Sequence, residues 1–309
     1  MTKEFVQLDW NETLRAACHQ VFEAAKQEDL RERGDITSLA ILPEKPNGEV
    51  VFRIRESGVV AGIECLQIAA ALYDPELSLE IHVTDGQQVT AGESLAVVRG
   101  AAVSLLAMER PALNLLCRLS GIATLTRQWT DQIAGLPCRI YDTRKTVPGL
   151  RLLEKYAVRC GGGFNHRSDL SQAFLIKDNH LALAGGSKGP LPPAEAVCRA
   201  KTYMAEHHFP ETTLIEIEVD TWIQFESAIS EKPDIILLDN MPAELLARAV
   251  EYRNRIAPGV ELEASGGITL AKLPAIAKTG IERISVGALT HSATQVDIGL
   301  DWQDMSATY

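Results

Sequence analysis

Leu214-Ile215-Glu216-Ile217-Glu218-Val219-Asp220 and, further on, Ile235-Ile236-Leu237-Leu238-Asp239-Asn240 are the stretches whose reading decides the fold. Each is a short, β-branched, apolar run that closes on acidic residues, too brief for an ordinary helix. Similar runs occur at 138–141, 173–176, 261–263 and 283–286, and helical patterns fill 194–206, 243–255 and 270–278 between them. Strand–helix units repeated in this way specify a parallel sheet with helices outside it, closed as a barrel or open as a doubly wound sheet. No Gly-x-Gly-x-x-Gly follows the first of these strands, which weighs against a dinucleotide-binding fold.

The preceding half reads differently. Leu14, Cys18, Val21, Phe22 and Ala25 fall at helical spacing over 14–30, and Val50, Phe52 and Ile54 alternate with Val51, Arg53 and Arg55 as in a strand with one buried face. Ile81 and Val83 repeat the alternation, 85–92 reads as turns, and a strand follows over 94–99. A helical stretch over 103–135 contains Pro111 and Gly121, which predicts two helices or a kink. The residues from Thr290 onward are expected to pack back on this first part.

The chain has 309 residues and a net charge of −11, which argues against a nucleic-acid or anionic-membrane surface. The start lacks a secretory pattern and no apolar run could span a bilayer, so a soluble protein is expected. The six cysteines form no Cys-x-x-Cys pair, which suits reduced thiols rather than a disulfide framework or zinc site. His207-His208 reads as a solvated helix end.

Chemistry concentrates between Asp142 and His180, where Lys and Arg outnumber Asp and Glu in an otherwise acidic chain. Arg144, Lys145, His166, Arg167 and Lys177 lie in Gly- or Pro-containing loops or at a strand end, where they could converge on one anion. Arg151, Lys155 and Arg159, four apart on a helix, read as surface charges. Glu216 and Glu218 point to one side of an apolar strand, and a buried carboxylate needs a cation, a metal or hydroxyl donors. Glu218 and Asp239, near their strand ends, suit Mg²⁺ or sugar hydroxyls. Glu216 and Glu263 read as partners of a neighbouring-strand lysine. Ser265-Gly266-Gly267 and Gly287, at successive late strand ends, suit a phosphate. A basic pocket, two carboxylates and a phosphate site describe an enzyme that handles a phosphorylated sugar and an acidic co-substrate.

Asp142-Thr-Arg-Lys-Thr-x-Pro-Gly-Leu-Arg151, Lys155-Tyr-Ala-Val-x-x-Gly-Gly-Gly-x-x-His-Arg167 and Ile176-Lys-Asp-Asn-His180 resemble the quinolinate phosphoribosyltransferase family. So do Gly34-Asp-Ile-Thr37, Glu109-Arg110 with Asn114, Leu119-Ser-Gly-Ile-Ala-Thr124, Leu238-Asp-Asn240 and Ser285-Val-Gly-Ala-Leu-Thr290, in order over nearly the whole chain. The resemblance implies a type II phosphoribosyltransferase fold of the α/β class. An N-terminal α/β sandwich over 1–115, joined by 289–309, would accompany an incomplete, TIM-like α/β barrel over 116–288. It further implies transfer of phosphoribosyl from phosphoribosyl pyrophosphate to quinolinate, giving nicotinate mononucleotide, CO₂ and pyrophosphate, a step of NAD biosynthesis. A cytoplasmic homodimer or assembly of dimers with shared active sites is implied, with no nucleic-acid or membrane partner.

Carried over by position, Arg144, His166, Arg167 and Lys177 would form the quinolinate pocket, with Arg110 reaching it from the partner subunit. Lys145 would serve quinolinate or pyrophosphate. Glu218 and Asp239 would hold the ribose hydroxyls and Mg²⁺, and Ser265, Gly266, Gly267, Gly287 and His291 would cradle the 5-phosphate. Lys145, Lys177, Glu218 and Asp239 are the expected catalytic residues, and 185–193 is an expected loop insertion. Nicotinate phosphoribosyltransferase needs fewer basic groups for its acceptor. The molybdate-operon paralogue of the family is expected to lack Ile-Lys-Asp-Asn-His. A lipoyl-type carrier would need a lysine that 85–100 does not contain. A non-catalytic phosphosugar-binding barrel would not need Glu218 and Asp239 beside the anion pocket.

Overall fold

The computed structural model describes residues 4–42 and 46–303. Its strands in chain order are β1 (Asn47–Ile54), β2 (Gly58–Val59), β3 (Ser78–Ile81), β4 (Gln88–Val89), β5 (Ser94–Ala101), β6 (Arg139–Tyr141), β7 (Phe174–Ile176), β8 (Ile215–Val219), β9 (Ile235–Asp239), β10 (Glu261–Ser265), β11 (Arg283–Ser285) and β12 (Ile298–Trp302). The chain divides into two compact units. One holds the residues up to Gln7, Trp129–Arg144 and Gly163–Gly287, and the other holds Leu8–Gln128, Lys145–Gly162 and the residues from Ala288 on.

The second of these is built on an antiparallel sheet ordered β12-β1-β5-β3. Val50, Phe52 and Ile54 are fully buried, as the alternation requires, while Arg53 on the other face reaches Asp301. The late segment pairs with β1 in antiparallel register, from Val50↔Trp302 to Ile54↔Ile298. Helix Glu12–Leu30 starts where the Asn11 side chain accepts from the Thr13 and Leu14 N–H groups, and it buries Leu14, Cys18 and Phe22.

In this unit the stretch with Pro111 and Gly121 is one helix, Ala102–Asp131, which discards the two-helix alternative. Gly121 serves close approach, because a Cβ there would lie 2.0 Å from the Thr294 carbonyl oxygen. Lys155 is not a surface charge: helix Arg151–Cys160 buries Glu154 and Lys155 along with Leu153, Ala157 and Val158. Glu154 takes two hydrogen bonds from the Arg118 guanidinium, at 3.1 and 2.8 Å, so the helix carries its ionic groups inward with partners.

The other unit is a six-stranded parallel sheet ordered β6-β11-β10-β9-β8-β7. The first strand pairs with the last, Arg139–Tyr141 against Arg283–Ser285, which is how a sheet begins to close into a barrel. Beyond β6, Tyr141 makes a lone parallel bridge to Phe164. Among the described residues no ladder joins β6 to β7, so the barrel stays incomplete.

Residues 4–7 belong to this unit as a strap across the N-terminal ends of its strands. Phe5 is buried with Tyr141, Ala173, Leu214 and Ile235. Glu4 accepts hydrogen bonds from Arg139 Nη1 at 2.6 Å, the Tyr141 hydroxyl at 2.7 Å and Arg283 Nη1 at 2.9 Å. Gln7 and Asn165 exchange two more, at 2.9 and 2.8 Å.

Gly121→Ala tests the close approach. Alanine should help a helix by ~1 kcal/mol, but a backbone clash of this kind costs ~1–3 kcal/mol, so net destabilisation is expected in denaturant titration. Asp85 tests the electrostatics. It accepts from the Ile63 N–H at 2.9 Å and the Tyr156 hydroxyl at 2.8 Å, and burial pushes its pKa up to about 6. A raised carboxyl pKa gives stability that is full below the unfolded value and is lost as pH rises through the folded one. Asp85→Asn should therefore gain stability relative to the parent between pH 4 and pH 7, read from denaturation midpoints across that range.

Candidate active site

Six strand ends supply the expected residues of the parallel unit. Arg144 follows β6, Lys177 follows β7, Glu218 lies next to last in β8, Asp239 ends β9, Ser265 ends β10 before Gly266 and Gly267, and Gly287 follows β11. All are at the carboxyl edge, where helix N-termini and loops leave room for a ligand. The loop with His166 and Arg167 joins them because Asp142, fully buried just beyond β6, accepts from the His166 N–H at 2.8 Å and from Asn165 Nδ2 at 2.7 Å.

Lys177 Nζ lies 2.5 Å from Glu218 Oε2, and the two groups end neighbouring strands. The Lys177 N–H donates to His180 Nδ1 at 2.9 Å, which ties the strand end to helix Asp178–Gly185. Arg167 is buried and donates from Nη1 to the Ala173 carbonyl at 3.0 Å. Burial and then the Arg144 charge hold its pKa below the ordinary arginine value. A buried guanidinium that feels a second guanidinium charge suits an anionic ligand. Arg167 also lines a cavity of about 390 Å³ with Leu170, His180 and Tyr203.

The β9 and β10 ends fit tightly together. The Asn240 N–H donates to the Ser265 carbonyl at 2.9 Å, and Asn240 Nδ2 donates to Asp239 Oδ2 at 2.6 Å, which fixes that carboxylate. Gly266 has φ +84°, and a Cβ there would meet Asn240 Oδ1 at 2.3 Å and Asp239 Oδ1 at 2.7 Å. Only glycine fits, so the loop brings backbone rather than side chain up to the carboxylate. Ser265, Gly266 and Gly267 line a cavity of about 510 Å³. Glu218 and Asp239 are half-buried oxygen donors on neighbouring strands, a donor set that suits a hard cation such as Mg²⁺.

Glu216, two residues deeper on the same face of β8 as Glu218, is fully buried, as is Glu263 on β10. The expectation of a lysine partner is corrected here. Their nearest polar neighbour is His166, whose Nε2 lies 2.9 Å from Glu216 Oε2 and 3.7 Å from Glu263 Oε1. These three groups lie within reach of one another, with the Glu216 and Glu263 carboxylate oxygens lacking a hydrogen-bond donor. Burial and the neighbouring Glu216 charge push the Glu263 pKa up to about 7.

Arg110, Lys145 and His291 belong to the antiparallel unit. Arg110 is largely exposed and lines a cavity of about 620 Å³ with Glu28, Asp29, Asn114 and Arg118. The exposed Lys145 accepts at its carbonyl from the Thr290 hydroxyl at 2.8 Å, and His291 Nδ1 lies 2.7 Å from the Ser292 hydroxyl. Asp142, Asn165, Asn240 and Phe5 were not singled out for the site from sequence. Asp142 and Asn240 stand at strand ends, where that signal was available; Phe5 is too far along the chain to give one.

Comparison with known proteins bears on all of this. Residues 35–120 match the N-terminal domain, and residues 122–301 the C-terminal domain, of quinolinate phosphoribosyl transferase. A relative from Mycobacterium leprae, nicotinate-nucleotide pyrophosphorylase [carboxylating], is 42% identical over 293 residues, covering 92% of this chain and 97% of its own. The quinolinate phosphoribosyltransferase [decarboxylating] 2, mitochondrial, of Nicotiana glauca is 38% identical, over 91% of this chain and 81% of its own. The solved structure of the nicotinate-nucleotide pyrophosphorylase from Francisella tularensis superposes with a TM-score of 0.86 at 33% identity, over 97% of this chain and 100% of that one. With the incomplete barrel, the antiparallel unit and both matched domains in place, the chain belongs to the quinolinate phosphoribosyl transferase family.

Proposed function

We propose that this chain transfers the phosphoribosyl group of phosphoribosyl pyrophosphate to quinolinate and releases CO₂ and pyrophosphate, leaving nicotinate mononucleotide. The observation that carries the reading is the gathering of Arg144, Arg167 and Lys177 at one strand edge with Glu218 and Asp239. A dicarboxylate satisfies such a cradle better than the single carboxylate of nicotinate.

The chemistry follows from charge. As the bond from the anomeric carbon to pyrophosphate breaks, its electron pair leaves with the pyrophosphate, and positive charge grows on the sugar. Glu218 and Asp239 face that charge and favour it. The pyridine nitrogen donates its lone pair to the anomeric carbon and becomes cationic. The C–CO₂⁻ bond beside it then breaks, its electrons pass to the ring, and water supplies the proton that replaces CO₂. Lys177, tied to Glu218, holds the acceptor end. Glu218 and Asp239 would hold Mg²⁺, which when bound neutralises charge on the leaving pyrophosphate. Ser265, Gly266, Gly267 and Gly287 would receive the 5-phosphate through backbone N–H groups. On the family pattern alone, Arg110, Lys145 and His291 are proposed substrate contacts, and the working form is a cytoplasmic homodimer or an assembly of dimers. No helix among the described residues is long and apolar enough to cross a membrane.

The test is an assay with phosphoribosyl pyrophosphate, Mg²⁺ and either quinolinate or nicotinate, following mononucleotide and CO₂ together. Product and CO₂ are expected from quinolinate only, and chelation should abolish both. Product from nicotinate without CO₂ would overturn the reading. Arg144→Ala and Lys177→Ala should each lower kcat/KM for quinolinate by on the order of 100-fold, the loss typical of one partner of a buried ionic contact. Gly266→Ala should raise KM for phosphoribosyl pyrophosphate by about tenfold or more while leaving that for quinolinate near the parent value.

A further inference from the structure

Arg118 lies midway along helix Ala102–Asp131, one turn before Gly121, where the backbone at Thr294 comes up against the helix. Its side chain is 17% exposed, and its guanidinium is engaged within the antiparallel unit. Nε and Nη2 donate to Glu154 Oε1 at 3.1 and 2.8 Å, Nη2 donates also to the Thr290 carbonyl, and Nη1 donates to the Ala293 carbonyl at 3.4 Å. Those two carbonyls bracket His291. Glu154 is sealed from solvent, and its other oxygen, Oε2, accepts the Val147 N–H at 3.3 Å, two residues beyond Lys145. The circuit closes where the Thr290 hydroxyl donates to the Lys145 carbonyl at 2.8 Å, across 145 positions of chain.

We propose that Arg118, paired with Glu154, is a positioning residue: one ionic pair holds the segments of Lys145 and His291 in fixed register, so that both side chains meet phosphoribosyl pyrophosphate. The proposal rests on the functional reading above and on the substrate contacts proposed there for Lys145 and His291. Both are exposed side chains, so their aim depends on the backbone beneath them. Neither segment lies in a strand that would fix it. A planar guanidinium, with donors along several edges, can serve one carboxylate and two carbonyls at once, which a single ammonium cannot do in fixed geometry. The pair therefore does two separable things. It neutralises a carboxylate that has left water, and it ties down three backbone groups. An apolar pair of similar size would remove the need for the first and forfeit the second.

Denaturation midpoints and steady-state kinetics of the full-length enzyme test this. Arg118→Met leaves the Glu154 carboxylate buried without its cation and should lower the midpoint. Arg118→Met combined with Glu154→Leu removes both charges and should recover most of that midpoint. In the same double variant, KM for phosphoribosyl pyrophosphate should stay about tenfold or more above the parent, while KM for quinolinate changes by less than about threefold. Arg118→Lys keeps a charge opposite Glu154 without the fork, and should fold and show the same split between the two substrates. In a His291→Ala background, Arg118→Lys should cost less than it does alone, because it acts partly through that histidine. A folded Arg118→Lys or a folded double variant with the parental KM for phosphoribosyl pyrophosphate would overturn the proposal. So would equal losses for both substrates, or losses that multiply fully with His291→Ala. Unsubstituted enzyme that makes no product from quinolinate would instead sink the functional reading itself, so the two failures are distinguishable.

Discussion

Arg283 carries a positive charge to a place without water, and the parallel unit is organised around making that tolerable. Its guanidinium is fully buried at the start of β11, with Nη1 2.9 Å from Glu4, Nε bonded to Glu261 and its plane over Tyr141, 4.7 Å from the ring centroid. Burial works against the charge, but Tyr141, Glu261 and Glu4 together hold the pKa above the ordinary arginine value. Uncompensated, such a group would cost several kcal/mol. Its partners come from β6, β10 and the strap, so satisfying one charge fixes the spacing of three separate segments. The same rule operates a layer higher, where His166, Glu216 and Glu263 share the interior.

That arrangement explains a division within β8. Glu216 and Glu218 point the same way from one strand, but the first is sealed in and the second is partly exposed beside Lys177. Depth decides their work. A sealed carboxylate can only orient what touches it, whereas one at the edge can meet a ligand and exchange partners.

Much of this was legible in the residues. Short apolar runs ending in Glu218, Asp239 and Ser265 marked the parallel strands, and period-two burial marked β1, because both patterns come from local backbone geometry. The strand-end location of Arg144, Lys177 and Gly287 followed from the same patterns. What could not be read were partnerships across long separations. The carboxylates of Glu216 and Glu263 plainly needed company, but nothing local said that their neighbour would be a histidine from the loop after β6. Lys155 looked solvated because its spacing from Arg151 and Arg159 suits an exposed face; only tertiary packing turns that face inward. Pro111 and Gly121 allow either two helices or a kink, and only tertiary structure shows that one helix, Ala102–Asp131, runs through both.

The strap has a consequence for the order of assembly. Glu4 and Arg283 are 279 positions apart, yet they pair directly. In the antiparallel unit β1 likewise waits for β12, since Val51 pairs with Asp301. Both units are thus completed by joining segments that lie far apart in the chain. Native closure has high contact order and cannot finish until both partners of each pairing have been made. Until they meet, a charged strap and an unpaired strand edge must be sheltered, so the hazards of this fold fall before closure rather than after it.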